Sequence, residues 1–164
     1  MSKPVRSTFT SSGSVEEVFG VLTSPDWSAT KAARFGDGAE LKTREERPDG
    51  GVLVVNSRTL PDGVPGFLQK FLPADGRVLE TFDWGPPQGS ERRGTWKVEI
   101  PGAPARLGGT TSLVPAGEGS TYLIEGEVTV KVPLVGGKAE TFIAGMVEKL
   151  AAKEAELLVA QVQR

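Results

Sequence analysis

The chain has 164 residues, a formal net charge of −2, 38% hydrophobic and 24% charged residues, a balance that fits one globular domain over residues 1–164. It has no cysteine and no histidine, which excludes disulfides, thiolate metal centres, histidine-bound zinc or iron and serine–histidine triads. No global positive field recruits nucleic acid, no apolar run approaches the ~18 residues of a membrane span, and Met1 to Arg6 lack a signal-type apolar stretch, so the expectation is a soluble, cytoplasmic protein.

Val5, Ser7 and Phe9 alternate with Arg6, Thr8 and Thr10, which predicts a first strand. Ser14-Val15-Glu16-Glu17 is a capping box, and Val15, Val18, Phe19 and Leu22 follow at helical spacing. Ser24-Pro25-Asp26 ends that helix and starts a second, with proline at its first position; the second carries Trp27 and Ala32 and stops near Gly36-Asp37-Gly38. Leu41, Thr43 and Glu45 alternate with Lys42 and Arg44 in a strand with one solvated face. Pro48-Asp49-Gly50-Gly51 turns the chain into a strand from Val52 to Leu60, which Pro61-Asp62-Gly63 breaks. Apolar residues at 64, 67, 68, 71 and 72 fit the helical period, so a short helix follows.

Four more strands are predicted: Arg77 to Trp84, with Val78, Phe82 and Trp84 as one set; Arg93 to Ile100, with Trp96, Val98 and Ile100 on one side; Ala105 to Val114; and Ser120 to Val132. In the last, Tyr122, Ile124, Val128 and Val130 oppose Glu125, Glu127 and Lys131. Pro133 ends the sheet. A helix from Lys138 to Val162 then places Phe142, Ile143, Met146, Val147, Leu150, Leu157 and Leu158 on one arc, which Glu154 and Gln161 share.

This order, β–αα–ββ–α–ββββ–α, together with the Ser14-to-Phe19 helix start, resembles the helix-grip fold of the START-like superfamily, the polyketide cyclase and Bet v 1-like (SRPBCC) group. The resemblance implies an α+β domain in which a seven-stranded antiparallel sheet curves around a long C-terminal helix, with two short helices after strand 1. The run Pro133-Leu134-Val135-Gly136-Gly137-Lys138-Ala139-Glu140 resembles the hallmark of an uncharacterised bacterial family within that group, and the Trp84 and Pro61 segments are similar to it. The helix near Phe67 departs from the minimal plan. Because that family supplies no catalytic residues to map, the resemblance carries only a fold and a tendency to bind ligands.

Phe82, Trp84, Trp96, Tyr122, Phe142 and Met146 form either the wall of a hydrophobic cavity or a solid core. Leu150 joins them from the helix arc, and Phe67 from a segment that, with the Trp27 helices, would open a mouth. Glu154, inside the apolar arc, is either a polar anchor in the pocket or half of an ion pair with a strand arginine. Arg58, sharing a face with Asn56, Val52 and Val54, either holds a ligand carboxylate or pairs with Glu45 on the neighbouring strand. Gly136-Gly137 offers helix amides to an anion or merely lets backbones approach, and Arg92-Arg93 reads as a solvated turn. No catalytic residue, metal ligand or cofactor is assigned. The expected function is sequestration of a hydrophobic small molecule or lipid between sheet and helix. The alternatives are a polyketide cyclase- or lyase-like enzyme using Glu154 or Tyr122, and a protein-interaction module.

Overall fold

The computed structural model describes residues 2–60, 63–73 and 75–162. Seven strands, β1 (Lys3–Ser11), β2 (Glu40–Glu46), β3 (Val52–Thr59), β4 (Arg77–Trp84), β5 (Arg92–Glu99), β6 (Ala105–Ala116) and β7 (Gly119–Val130), form one antiparallel sheet in the order β1-β7-β6-β5-β4-β3-β2. From β2 to β7 each strand pairs with the next, while β1 closes against β7. The chain crosses between the two sheet edges through α1 (Val15–Leu22) and α2 (Trp27–Phe35), and a single turn, α3 (Gly66–Gln69), follows β3. The last element, α4 (Gly136–Val162), has 27 residues, about 40 Å at 1.5 Å per residue. This is the curved sheet around a long helix that the element order implies.

Local signals set the helix ends. The Ser14 side chain accepts from the Glu17 N–H while Glu17 reaches back to the Ser14 N–H, the reciprocal cap that orphan amides of a first turn require. Gly36 closes α2 in the left-handed conformation at φ 68°. Pro25, expected inside the second helix, instead precedes its N-cap, Asp26. Arg92, expected in a solvated turn, is buried: it clamps α1 to β5 by two bonds to the Glu16 carboxylate, at 2.9 and 2.8 Å, and lies 3.9 Å over the Phe19 ring. The Arg92 hydrogen bonds hold the Glu16 carboxyl below its ordinary pKa. Arg93 is exposed and pairs with Glu91. The break expected at Pro61-Asp62 lies outside the described residues.

α4 packs most closely on β1 and β7 and touches α1 with its C-terminal part. Its buried positions include Ala139, Ala144 and Ala155, small side chains that let the helix axis come down on that side of the sheet. At its start, a Cβ on Gly136 would stand 2.7 Å from the Val130 carbonyl, and the buried Glu140 carboxylate accepts the Val130 N–H at 2.8 Å. The hallmark run therefore pins the helix onto the end of β7. Gly136 serves close backbone approach there rather than offering its amide to an anion. Gln161, expected to share the apolar face, is exposed.

Two apolar clusters line the concave side. One joins Val78, Trp96, Leu107 and Val128 to Ile143 on α4; the other joins Phe19, Trp84, Leu113 and Tyr122 to Leu158. Phe82 and Ile124 pack against both.

Candidate functional site

Because α4 sits over β1 and β7, the face of β3 to β5 is covered by side chains and incompletely filled. A hollow of about 70 Å³ lies there, bounded by Arg58, Glu80, Phe82, Trp96, Met146 and Leu150. A second, about 40 Å³, is walled by Trp27, Lys31, Trp84, Tyr122 and Glu154. A third, about 30 Å³, lies under α3 against Leu68, Phe71, Phe142 and Met146. An opening of about 320 Å³, lined by Phe35, Asp37, Arg58, Leu60, Leu150 and Glu154, lies beside them. Glu154 borders the first two hollows and the opening. One water needs about 10–15 Å³ of such space and a drug-sized pocket about 300–1,000 Å³, so the hollows as they stand suit guests of water to small-fragment size.

The sequence-predicted residues converge unevenly. Phe82 lines both larger hollows, Trp84 and Tyr122 the second, Trp96 the first, Phe142 the third, and Met146 the first and third. Leu150 and Arg58 stand between the first hollow and the opening. Phe67 is not among the lining residues; its ring packs at the edge of the core, 5.6 Å from the Lys138 ammonium. Trp27 itself is buried in a wall, while the far end of its helix, α2, borders the opening together with the end of β3 and α4.

Trp96 is held flat by its neighbours. Across the strands it faces Gly109, which faces Gly126, and its indole N–H donates to the Glu125 carbonyl at 3.0 Å, two strands away. A Cβ on Gly126 would lie 2.8 Å from the indole Cζ2, so the glycines are the bed in which the ring lies.

The polar part of the site is a belt of five charges between the two apolar clusters. Arg58 Nη1 donates to Glu154 Oε1 at 2.7 Å, Nη2 is 2.8 Å from Glu80 Oε2, and Nη1 is 3.7 Å from Asp37 Oδ2. Lys31 Nζ, from α2, is 3.6 Å from Glu154 Oε1. Burial works against charge on Arg58, but Glu80, Glu154 and Asp37 outweigh it and raise its pKa. Burial likewise pushes the Glu154 carboxyl up, but Lys31 and Arg58 overcome it and hold the pKa below the ordinary value. Burial raises the Tyr122 phenol, and Glu154 and Glu80 add to that, so the ring keeps its proton at neutral pH.

Arg58 does not pair with Glu45. Between Leu41 and Thr43 the register of β2 on β3 shifts, so Leu41 opposes Asn56, Arg44 opposes Val54, and Glu45 opposes Leu53. Side chains directly opposite share a face, and the extra residue turns Glu45 to the face away from Arg58. The arginine finds Glu154 instead, the strand–helix ion pair that was one of the two readings of that carboxylate.

Lys31 and Glu80 are not among the residues predicted from the sequence, and Asp37 enters there only in the stop after the second helix. Glu80 left a signal: it falls in phase with Val78, Phe82 and Trp84, a charge on the inward face of an alternating strand. Lys31 stands one turn from Trp27 on α2, a weaker sign, and nothing local marks Asp37. Asn56 pairs with the buried Ser28 hydroxyl, which ties α2 to β3 below the belt.

The chain is 30% identical over 146 residues to the uncharacterized protein Rv0481c of Mycobacterium tuberculosis and equally to Mb0491c of Mycobacterium bovis, covering 84% of each chain. Among solved structures it is similar to the ZhuI aromatase/cyclase of a Streptomyces species (TM-score 0.65, 11% identity, 100% and 95% of the two chains). It is also similar to norcoclaurine synthase of Thalictrum flavum in complex with dopamine and hydroxybenzaldehyde (TM-score 0.60, 17% identity, 100% and 90%). These likenesses show a shared helix-grip, Bet v 1-like fold. The sequence profile of the family described as "Protein of unknown function (DUF2505)" matches residues 6–161, and with that span, the sheet and the helix accounted for, the chain belongs to this family.

Proposed function

We propose that this protein binds a small hydrophobic molecule between the β3–β5 face of the sheet and α4. The observation that carries the reading is the incompletely filled, aromatic-walled space between the β3–β5 face and the Met146-to-Glu154 stretch of α4, beside an opening of about 320 Å³. Apolar burial at about 25 cal/mol per Å² supplies the affinity, and the charge belt orients the guest. A guest larger than a fragment enters by displacing Leu60 and Leu150, which line both the opening and the first hollow. The fold shared with an aromatase/cyclase and with a synthase holding two aromatic molecules supports this reading. Native mass spectrometry of protein purified from its own host, with tryptophan fluorescence against a panel of apolar compounds, tests it. The expected results are a co-purifying apolar ligand and a response from Trp96 or Trp84. Neither appearing rejects the reading.

A cyclase-like enzyme is the second reading, favoured by Lys31, Tyr122 and Glu154 lining one hollow. The protonated Tyr122 phenol would be its donor, since Glu154 is held as a carboxylate. Once a substrate is identified, Tyr122→Phe with unchanged turnover would eliminate that role. The interaction-module reading has less to stand on: Leu134 is the one exposed large hydrophobic side chain among the described residues.

A further inference from the structure

We propose that the guest is an apolar body bearing a protonated amine, received by Glu80; this rests on the cavity reading above. Glu80 lines the 70 Å³ hollow beside Phe82 and Trp96, and its side chain is 9% exposed. Its Oε2 faces Arg58 at 2.8 Å, whereas Oε1 has no hydrogen-bond partner among the described residues. A carboxylate oxygen removed from water and left unpaired is costly, and the group that relieves it must be a donor.

Charge selects among donors. In the belt, Arg58 and Lys31 face Asp37, Glu80 and Glu154, which leaves one negative charge in excess. A hydroxyl satisfies Oε1 but leaves that charge; an ammonium satisfies the oxygen and neutralises the belt. The aromatic walls accept a cation on their faces, and the Trp96 N–H, already given to Glu125, does not compete for the carboxylate. A guest carboxylate, the ligand first expected for Arg58, would meet a belt already negative and an arginine already engaged.

Isothermal titration calorimetry with toluene, benzyl alcohol and benzylamine at neutral pH tests this on the wild type and Glu80→Gln. In the wild type benzylamine binds at least about tenfold tighter than toluene, as a charge-assisted bond requires. In Glu80→Gln the order reverses, because desolvation of the ammonium is no longer offset, while toluene affinity changes less than about twofold. Toluene binding with no amine preference, a preference retained in Glu80→Gln, or benzyl alcohol binding tightest each overturns the proposal and leaves the cavity reading intact. No binding by any probe removes the cavity reading and the proposal with it. Should Glu80→Gln fail to fold, the ¹³C resonance of the Glu80 carboxylate in the wild type decides: a shift on adding benzylamine and none with toluene supports the assignment, and an unmoved signal overturns it.

Discussion

Replacing Arg58 by methionine removes the centre of the charge belt while keeping most of the side-chain volume. Arg58, Glu80 and Glu154 are 11%, 9% and 24% exposed, and the two short contacts are 2.8 and 2.7 Å. At an effective dielectric of about 20, each contact is worth roughly 6 kcal/mol of gross attraction, most of which offsets desolvation of the charges. Removing one partner leaves the carboxylates buried and the desolvation unrepaid, so Arg58→Met is expected to cost about 3–5 kcal/mol, which for this chain length lowers the melting temperature by roughly 6–20 °C. The pH dependence carries a distinct sign. In the wild type the folded-state pKa of Glu154 lies below its unfolded value, so its contribution is present above the unfolded pKa and is lost as pH falls through the folded one. Lys31 and Arg58 together hold that depression; without Arg58 only Lys31 opposes burial and the carboxyl rises, so the cost of the substitution is largest near pH 7 and shrinks toward pH 4. Urea denaturation of both proteins at pH 7 and pH 4.5 measures it. A cost below about 1 kcal/mol at pH 7, or one that grows on acidification, would refute the account of the belt as mutually supported buried charges.

Three further outcomes follow from single contacts. Gly126→Ala puts a methyl 2.2 Å from the Gly108 carbonyl and 2.8 Å from the Trp96 ring, so it should destabilise by about 1–3 kcal/mol and shift the Trp96 emission; a neutral result would mean the glycine bed is not needed. Glu140→Ala strips the buried Val130 N–H of its acceptor and should cost about 1–3 kcal/mol, with faster hydrogen exchange at the start of α4; unchanged exchange there would contradict the pinning role. Ala151→Leu projects new volume into the two larger hollows, both of which Ala151 lines. It should abolish the fluorescence response to apolar probes with a stability change under about 1.5 kcal/mol, and a full response would place the guest elsewhere.

Much of the frame was legible because local rules acted unopposed. The Ser14–Glu17 cap, the left-handed stop at Gly36 and the alternation of Trp96, Val98 and Ile100 each depend on neighbours within one turn or one strand. The inward set of β4 includes Glu80, whose phase with Val78, Phe82 and Trp84 is plain in the sequence, whereas its partner Arg58 is not, because it lies on another strand. Glu45 went wrong for a different reason. Alternation carries face assignment along a strand only while the register holds, and a single extra residue at the start of β2 reversed it.

Sequence alone determined the element order, the apolar arc of the last helix, and the absence of histidine and cysteine chemistry, since these depend on composition and on periods of two and 3.6 residues. Tertiary structure decided where α4 lies. It rests on β1 and β7, which leaves space over β3 to β5, and it brings Glu154 to Arg58 across 96 positions of chain and to Lys31 from α2. Charges so distant in sequence meet only when the sheet closes around the helix, and burial then makes their pairing obligatory. No short-range pattern encodes that encounter.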